Sequence, residues 1–231
     1  MESSTTVYLC RSDSVDSRPL ASSASTYYAR RMRWAVLVLV LIARPAVADP
    51  LRTDDVDIVD VARVIPDAVM DLRYATKDNF VGEAVYPKAV CKLHRSVAQR
   101  LARAAKLLRA QKRRLVIWDC YRPSSIQAAF WKLVPDERYV ANPAKGSRHS
   151  RGAAVDLALA DTDGTLLAMP TAFDDFSEKA HRKIALAGKA GREAKRLEAA
   201  MTKAGFIGMP TEWWHFDAPD ASKYALSDVP L

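Results

Sequence analysis

No stretch of this sequence stays apolar long enough to cross a bilayer. The run Trp34–Ala43 stops at ten residues, where a spanning helix needs about 20, which argues against a permanent membrane anchor. A block of basic residues interleaved with aromatics is also missing. The formal charge is +8, but residues 1–48 hold six Arg against three acidic residues. The remainder carries 29 Lys/Arg and 24 Asp/Glu, a mild excess spread along helical segments. No nucleic-acid partner is expected from that distribution. Internal repeats and linkers are absent from residues 49–231, so one domain is the economical reading. An apolar content of 49% with 27% charged residues excludes wholesale disorder.

Cysteine is scarce, at three residues. Cys10 lies in a segment that reads as a leader. Arg30, Arg31 and Arg33 precede the short apolar run, and Ala46-Val47-Ala48 supplies small residues for a signal peptidase. Residues 1–29 form a polar, Ser-rich extension, and Met32 would make a conventional start. The expectation is a leader over residues 1–48 and an exported, periplasmic protein, mature from about Asp49. Cys91 and Cys120 then remain, an even number in an oxidising compartment. They form either a disulfide or two buried thiols.

The mature chain alternates short strands and helices. Val56–Val61 reads as an early strand. A helix capped by Ser96 is expected to about Gln111, with Val97, Leu101, Ala104 and Leu108 on its apolar stripe. Leu115–Trp118 reads as a buried strand ended by Pro123, and Ser124 or Ser125 can cap a short helix to Leu133. Ala153–Leu159 resumes strand, with Asp156 facing away from Val155, Leu157 and Leu159. A turn at Asp161–Gly164 leads into a second hairpin strand, Thr165–Met169. A last helix runs from about Arg192 to Ala204 and stops at Gly205.

Four histidines are present, and two of them sit in informative surroundings. His149 and Asp156 are seven positions apart, which spans about 23 Å when extended. They can share an ion only if the chain folds back between them, and Gly152 is where that is easiest. The stretch Thr211–Asp217 sets Trp213, Trp214 and Phe216 around Glu212 and His215. A hydrolytic zinc site needs three ligands, an open position for water, and a carboxylate outside the ligand set to take that water's proton. His149, Asp156 and His215 supply the ligands, Glu212 the base, and Arg122 a guanidinium for transition-state charge. Each residue also has a plainer reading: a solvated Asp156, core tryptophans, an Arg122 that merely pairs with a neighbouring Asp.

Taken together the motifs are specific. S-x-H-x-x-G-x-A-x-D is met at Ser147, His149, Gly152, Ala154 and Asp156, and E-x-W-H at Glu212, Trp214 and His215. With Trp118–Pro123, Tyr74-Ala75-Thr76 and Asp78-Asn79-Phe80, residues 70–217 strongly resemble the D-alanyl-D-alanine dipeptidases of the vancomycin-resistance type. The resemblance implies a single compact α+β domain over residues 49–231. Its antiparallel sheet has flanking helices, a fold shared with some cell-wall carboxypeptidases and the Hedgehog signalling domain. It implies one Zn²⁺ per chain on His149, Asp156 and His215, with Glu212 as base and Arg122 on the transition state. Ser147 and Asp174 match positions that hold the dipeptide, Asp174 at its free amine. Cys120 stands where the resistance-type enzyme has glycine. His94 and His181 match no ligand position. The implied partner is a small D,D-dipeptide. The rival functions are a D,D-carboxypeptidase on longer cell-wall peptides and a non-catalytic, zinc-dependent binding module.

Overall fold

The computed structural model describes residues 57–231. The expected leader over residues 1–48, including Met32, lies outside the described residues.

Among the described residues, two sheets and five α-helices make up an α+β domain. The chain begins with β1 (Ile58–Asp60), which runs straight into the one-turn helix α1 (Val61–Val64) because the Asp60 side chain caps it on Ala62 N. After β2 (Val69–Met70) and a loop region comes β3 (Lys92–His94), which pairs antiparallel with β1. Next are α2 (Arg95–Arg109), β4 (Arg114–Asp119), α3 (Ser124–Leu133) and β5 (Ala154–Ala160). The short α4 (Arg182–Ala185), α5 (Arg192–Lys203), β6 (Ile207–Gly208) and β7 (His215–Asp217) complete the order. The main sheet has the order β2-β4-β5-β7-β6. Its pairs are antiparallel except for β2 and β4, which run parallel at one edge.

The helices form where apolar residues recur at three to four. Helix α2 buries Val97, Ala98, Leu101, Ala104, Ala105 and Leu108, and α5 buries Ala194, Leu197, Ala200 and Met201. These two helices pack on each other and on β4 and β5. All seven residues of β5 are buried, as a central strand covered on both faces requires.

Three local expectations are corrected. Ser96 does not cap α2: His94 occupies that position, and the Ser96 hydroxyl meets the Tyr224 hydroxyl at 2.6 Å. Nor do Ser124 and Ser125 cap α3 with their side chains. The cap comes from far along the chain, where Asp228 Oδ1 accepts from Ser125 N at 2.7 Å. Local sequence cannot show a partner 103 positions away. The second hairpin strand shrinks to a single bridge, Ala160 to Leu166.

Candidate metal centre

The site is built on one row of the sheet. Asp156 in β5 stands opposite His215 in β7 on one side and Asp119 in β4 on the other. A register shift between Ile117 and Asp119 makes the second pairing possible, a common use of a bulge beside a site. Directly opposite residues on paired strands have Cβ atoms about 4.5–5.5 Å apart, so the row concentrates three polar side chains.

His149 reaches this row from outside the sheet. It opens a single 3₁₀ turn, His149–Arg151, that ends at Gly152 in the left-handed region with φ of 60°. A side chain at Gly152 would meet only ordinary contacts near His94, so backbone conformation is the reason for glycine there. The turn folds the chain back and brings His149 against Asp156, as the sequence required.

His149 Nε2 lies 3.1 Å from His215 Nδ1 and 3.5 Å from Asp156 Oδ2, and His215 Nδ1 lies 3.0 Å from Asp156 Oδ1. One ligand atom from each residue falls within 4.8 Å of the others, and all three residues are buried. The far nitrogen of His149, Nδ1, donates to the Cys120 carbonyl at 2.7 Å. A carbonyl can only accept, so Nδ1 carries the hydrogen and the Nε2 lone pair faces the cluster. Two imidazole nitrogens and a carboxylate oxygen converging in this way fit a divalent cation of the zinc type. Although burial opposes its charge, Asp156 is held well below the usual carboxylate range by His149 and His215. It is therefore ionised and ready to ligate.

Glu212 stands on the cluster side of His215, with Oε2 3.9 Å from His215 Nδ1. It is buried, and burial, reinforced by Asp156 and Asp174, pushes its carboxyl up to about 8. A nearby cation would draw that value back down. Arg122 is buried beside the same pocket and anchored from two sides. Its Nε and Nη2 donate to Asp119 Oδ2 at 3.1 and 2.6 Å, and its Nη1 donates to Gln127 Oε1 at 2.8 Å. The guanidinium also lies 5.2 Å from the Tyr74 ring and 4.9 Å from the Phe130 ring, within cation–π range. Burial works against its charge, but Asp119 together with Tyr74, Tyr86 and Asp156 raises Arg122 well above the ordinary range. The plain reading of Arg122 as the partner of a neighbouring Asp is thus correct, and it lines the pocket as well.

Asp174 lies across the pocket in the left-handed region, with φ of 57°, a conformation that non-glycine residues hold mainly under constraint. It accepts from the Tyr74 hydroxyl at 3.1 Å and from Phe80 N at 3.4 Å. Burial and then Asp156 raise its carboxyl to about 7. The Ser147 hydroxyl accepts from His149 N at 3.2 Å and also faces the pocket. Phe80, Tyr139 and Phe176 also line the pocket, with Tyr139 stacked on Phe176 at 5.1 Å. The cavity holds about 130 Å³, below the range of about 300–1,000 Å³ typical for drug-sized ligands. Its scale suits a small molecule.

All the expected site residues therefore converge, and Cys91 and Cys120 form a disulfide. His94 and His181 stay apart from the cluster: His94 stacks on Tyr224 and His181 lies at the start of α4. Asp119 is the neighbouring Asp expected beside Arg122, while two further supporting residues went unread in the sequence: Gln127, and Tyr86, whose hydroxyl donates to Asp119 Oδ1 at 2.8 Å. The i, i+3 spacing of Asp119 and Arg122 was the available signal. Gln127 gave none, because its role depends on α3 turning back over Arg122.

Comparison with known proteins agrees with this geometry. A family model described as D-ala-D-ala dipeptidase, within the metal-dependent M15 peptidases, matches residues 54–229. A D-alanyl-D-alanine dipeptidase of Escherichia coli K12 is 40% identical over 175 residues, covering 75% of this chain and 91% of the relative. One from Enterococcus faecium is 32% identical over 179 residues, covering 67% and 89%. Another, from Streptomyces coelicolor, is 33% identical over 174 residues, covering 63% and 83%. With the matched region spanning the whole described site, the chain belongs to the D-alanyl-D-alanine dipeptidase family of M15 peptidases.

Proposed function

We propose that this protein is a zinc-dependent dipeptidase that cleaves D-Ala-D-Ala into two D-alanines. The observation that carries the reading is the convergence of three ligand atoms within 4.8 Å beside a buried carboxylate outside that set. His149, Asp156 and His215 would hold one ion. When bound, zinc supplies Lewis acidity toward the scissile carbonyl and makes water acidic enough to ionise near neutrality.

The chain's own residues do the rest. Glu212 takes a proton from the attacking water and delivers it to the departing amine. Arg122, fixed by Asp119 and Gln127, faces the oxygen on which negative charge develops. Because it is held rigidly, it needs no reorganisation as that charge appears. Asp174, with Tyr74 beside it, receives the substrate's ammonium group, and Ser147 contacts the dipeptide from the His149 side. An ammonium group bound by Asp174 would distinguish a free dipeptide from the end of a longer chain.

Export is part of the proposal. A disulfide persists in an oxidising compartment, and Cys91–Cys120 is consistent with residues 1–48 acting as a leader. Dipeptide turnover outside the cytoplasm would follow. The test is D-alanine release from D-Ala-D-Ala by zinc-replete protein and by the same protein after chelation. Release that disappears on chelation and returns with zinc supports the reading, and release unaffected by chelation refutes it.

A further inference from the structure

His215 uses one ring nitrogen toward the cluster, and the other is also engaged. Nε2 lies 2.9 Å from Asp217 Oδ1. We propose that Asp217 is a positioning residue that sets the metal affinity of His215, with Arg148 as its clamp. The inference rests on the three-ligand reading of the site.

The placement follows from strand geometry. His215 and Asp217 are two apart in β7, so their side chains project from the same face. Asp217 sits at a position fixed on both sides, paired with Ala154 in β5 and with Ile207 in β6. Its carboxylate is mostly buried, and its second oxygen, Oδ2, lies 3.3 Å from Arg148 Nε. Arg148 immediately precedes His149. The Arg148–Asp217 pair therefore ties the turn that carries one ligand to the strand that carries another.

The chemistry is specific to a ligand histidine. An ionised carboxylate accepts and never donates, so Asp217 selects the tautomer with hydrogen on Nε2 and leaves the Nδ1 lone pair toward Asp156 and His149. The negative charge behind the ring also strengthens Nδ1 as a donor, and the hydrogen bond fixes the plane of the ring. His149 receives the same kind of support from a neutral backbone carbonyl. Asp119 Oδ2 also lies 3.6 Å from His149 Nδ1, so what sets Asp217 apart is that the hydrogen-bond acceptor itself is a carboxylate, removable by substitution.

The test is zinc affinity, measured by competition with a chromophoric chelator, together with the visible spectrum of the cobalt-substituted protein. Asp217→Ala should bind zinc about 10–100-fold more weakly than wild type, the usual cost of losing an outer partner of a ligand histidine. Asp217→Asn keeps an accepting oxygen but no charge, so its affinity should fall between the two. Arg148→Ala should lose less than Asp217→Ala. The cobalt spectrum should shift in Asp217→Ala, which a role in general stability alone would not produce. Should Asp217→Ala fail to fold, the comparison of Asp217→Asn with wild type still decides. An Asp217→Asn protein with unchanged zinc affinity and an unchanged cobalt spectrum overturns the proposal. A wild-type protein that binds no zinc overturns both this proposal and the three-ligand reading, whereas tight wild-type binding with an indifferent Asp217 removes this proposal alone.

Discussion

Asp119 Oδ2 accepts two hydrogen bonds from Arg122, at 2.6 and 3.1 Å, while its Oδ1 accepts from Tyr86 and from Cys120 N at 2.8 and 2.9 Å. Both residues are buried, so neither charge is tolerable alone. Replacing Asp119 with Ala should cost about 3–5 kcal/mol of stability, the range for stranding one partner of a buried pair. Denaturant midpoints measure this directly. Asp119→Asn keeps the shape, and its kinetic signature should be a fall in kcat larger than the rise in KM, because it loosens a group acting on transition-state charge.

The disulfide bears on the site through the same segment. Cys120 supplies the carbonyl that orients His149, and its sulfur is bonded to Cys91, 29 positions away. On loop-closure entropy alone, replacing both cysteines with serine should cost about 3–4 kcal/mol. Chemical denaturation under non-reducing conditions should show this loss. Reducing agent should destabilise the wild type and leave the double variant unmoved.

Substrate affinity should depend on pH through Asp174. Its carboxyl is raised to about 7 by burial and by Asp156, and it must be ionised to pair with an ammonium group. Affinity should therefore rise as pH increases through this region. It should fall again as the substrate's own amine loses its proton near about 8. A bound cation would shift the acid limb lower. Inhibition constants for a non-hydrolysable dipeptide isostere, measured across pH, isolate binding from chemistry. Asp174→Asn should weaken binding at neutrality and abolish the acid limb.

Much of this was legible in the sequence because metal-site chemistry restricts residue types and spacing. His149, Asp156, Glu212 and His215 could be read as a set because one short motif carries a histidine and an aspartate with Gly152 marking the reversal between them, and a second sets a carboxylate three residues before a histidine. Asp156 was harder to interpret. Alternation put it on the face opposite Val155 and Leu157, which suits a solvated residue as well as a ligand. Its burial and its pairing with His215 in the register of β5 and β7 place it in the cluster and not in solvent. The cap on α3 from Asp228 and the Gln127 bond to Arg122 depend on long-range packing that no local window contains.

Glu212 distinguishes base from ligand. Its Oε2 is 3.9 Å from His215 Nδ1 and lies outside the His149–Asp156–His215 cluster, so Glu212→Gln should retain wild-type zinc content and fold. Turnover should drop by about 10²–10⁴-fold, the usual contribution of a general base. Zinc content by atomic absorption, read beside kcat, checks both halves, and loss of zinc would make Glu212 a ligand instead.

The most direct measurement is D-alanine released by zinc-loaded protein from three substrates at equal concentration: D-Ala-D-Ala, its N-acetylated form and a muramyl pentapeptide ending in D-Ala-D-Ala. With Asp174 proposed to pair with the substrate's free ammonium group, release is expected from the first substrate and not from the other two. Equal release from the free and N-acetylated dipeptides would contradict the dipeptidase account and assign the site to a carboxypeptidase. A lack of release from all three, with zinc fully bound, would contradict catalysis and leave a zinc-dependent binding module.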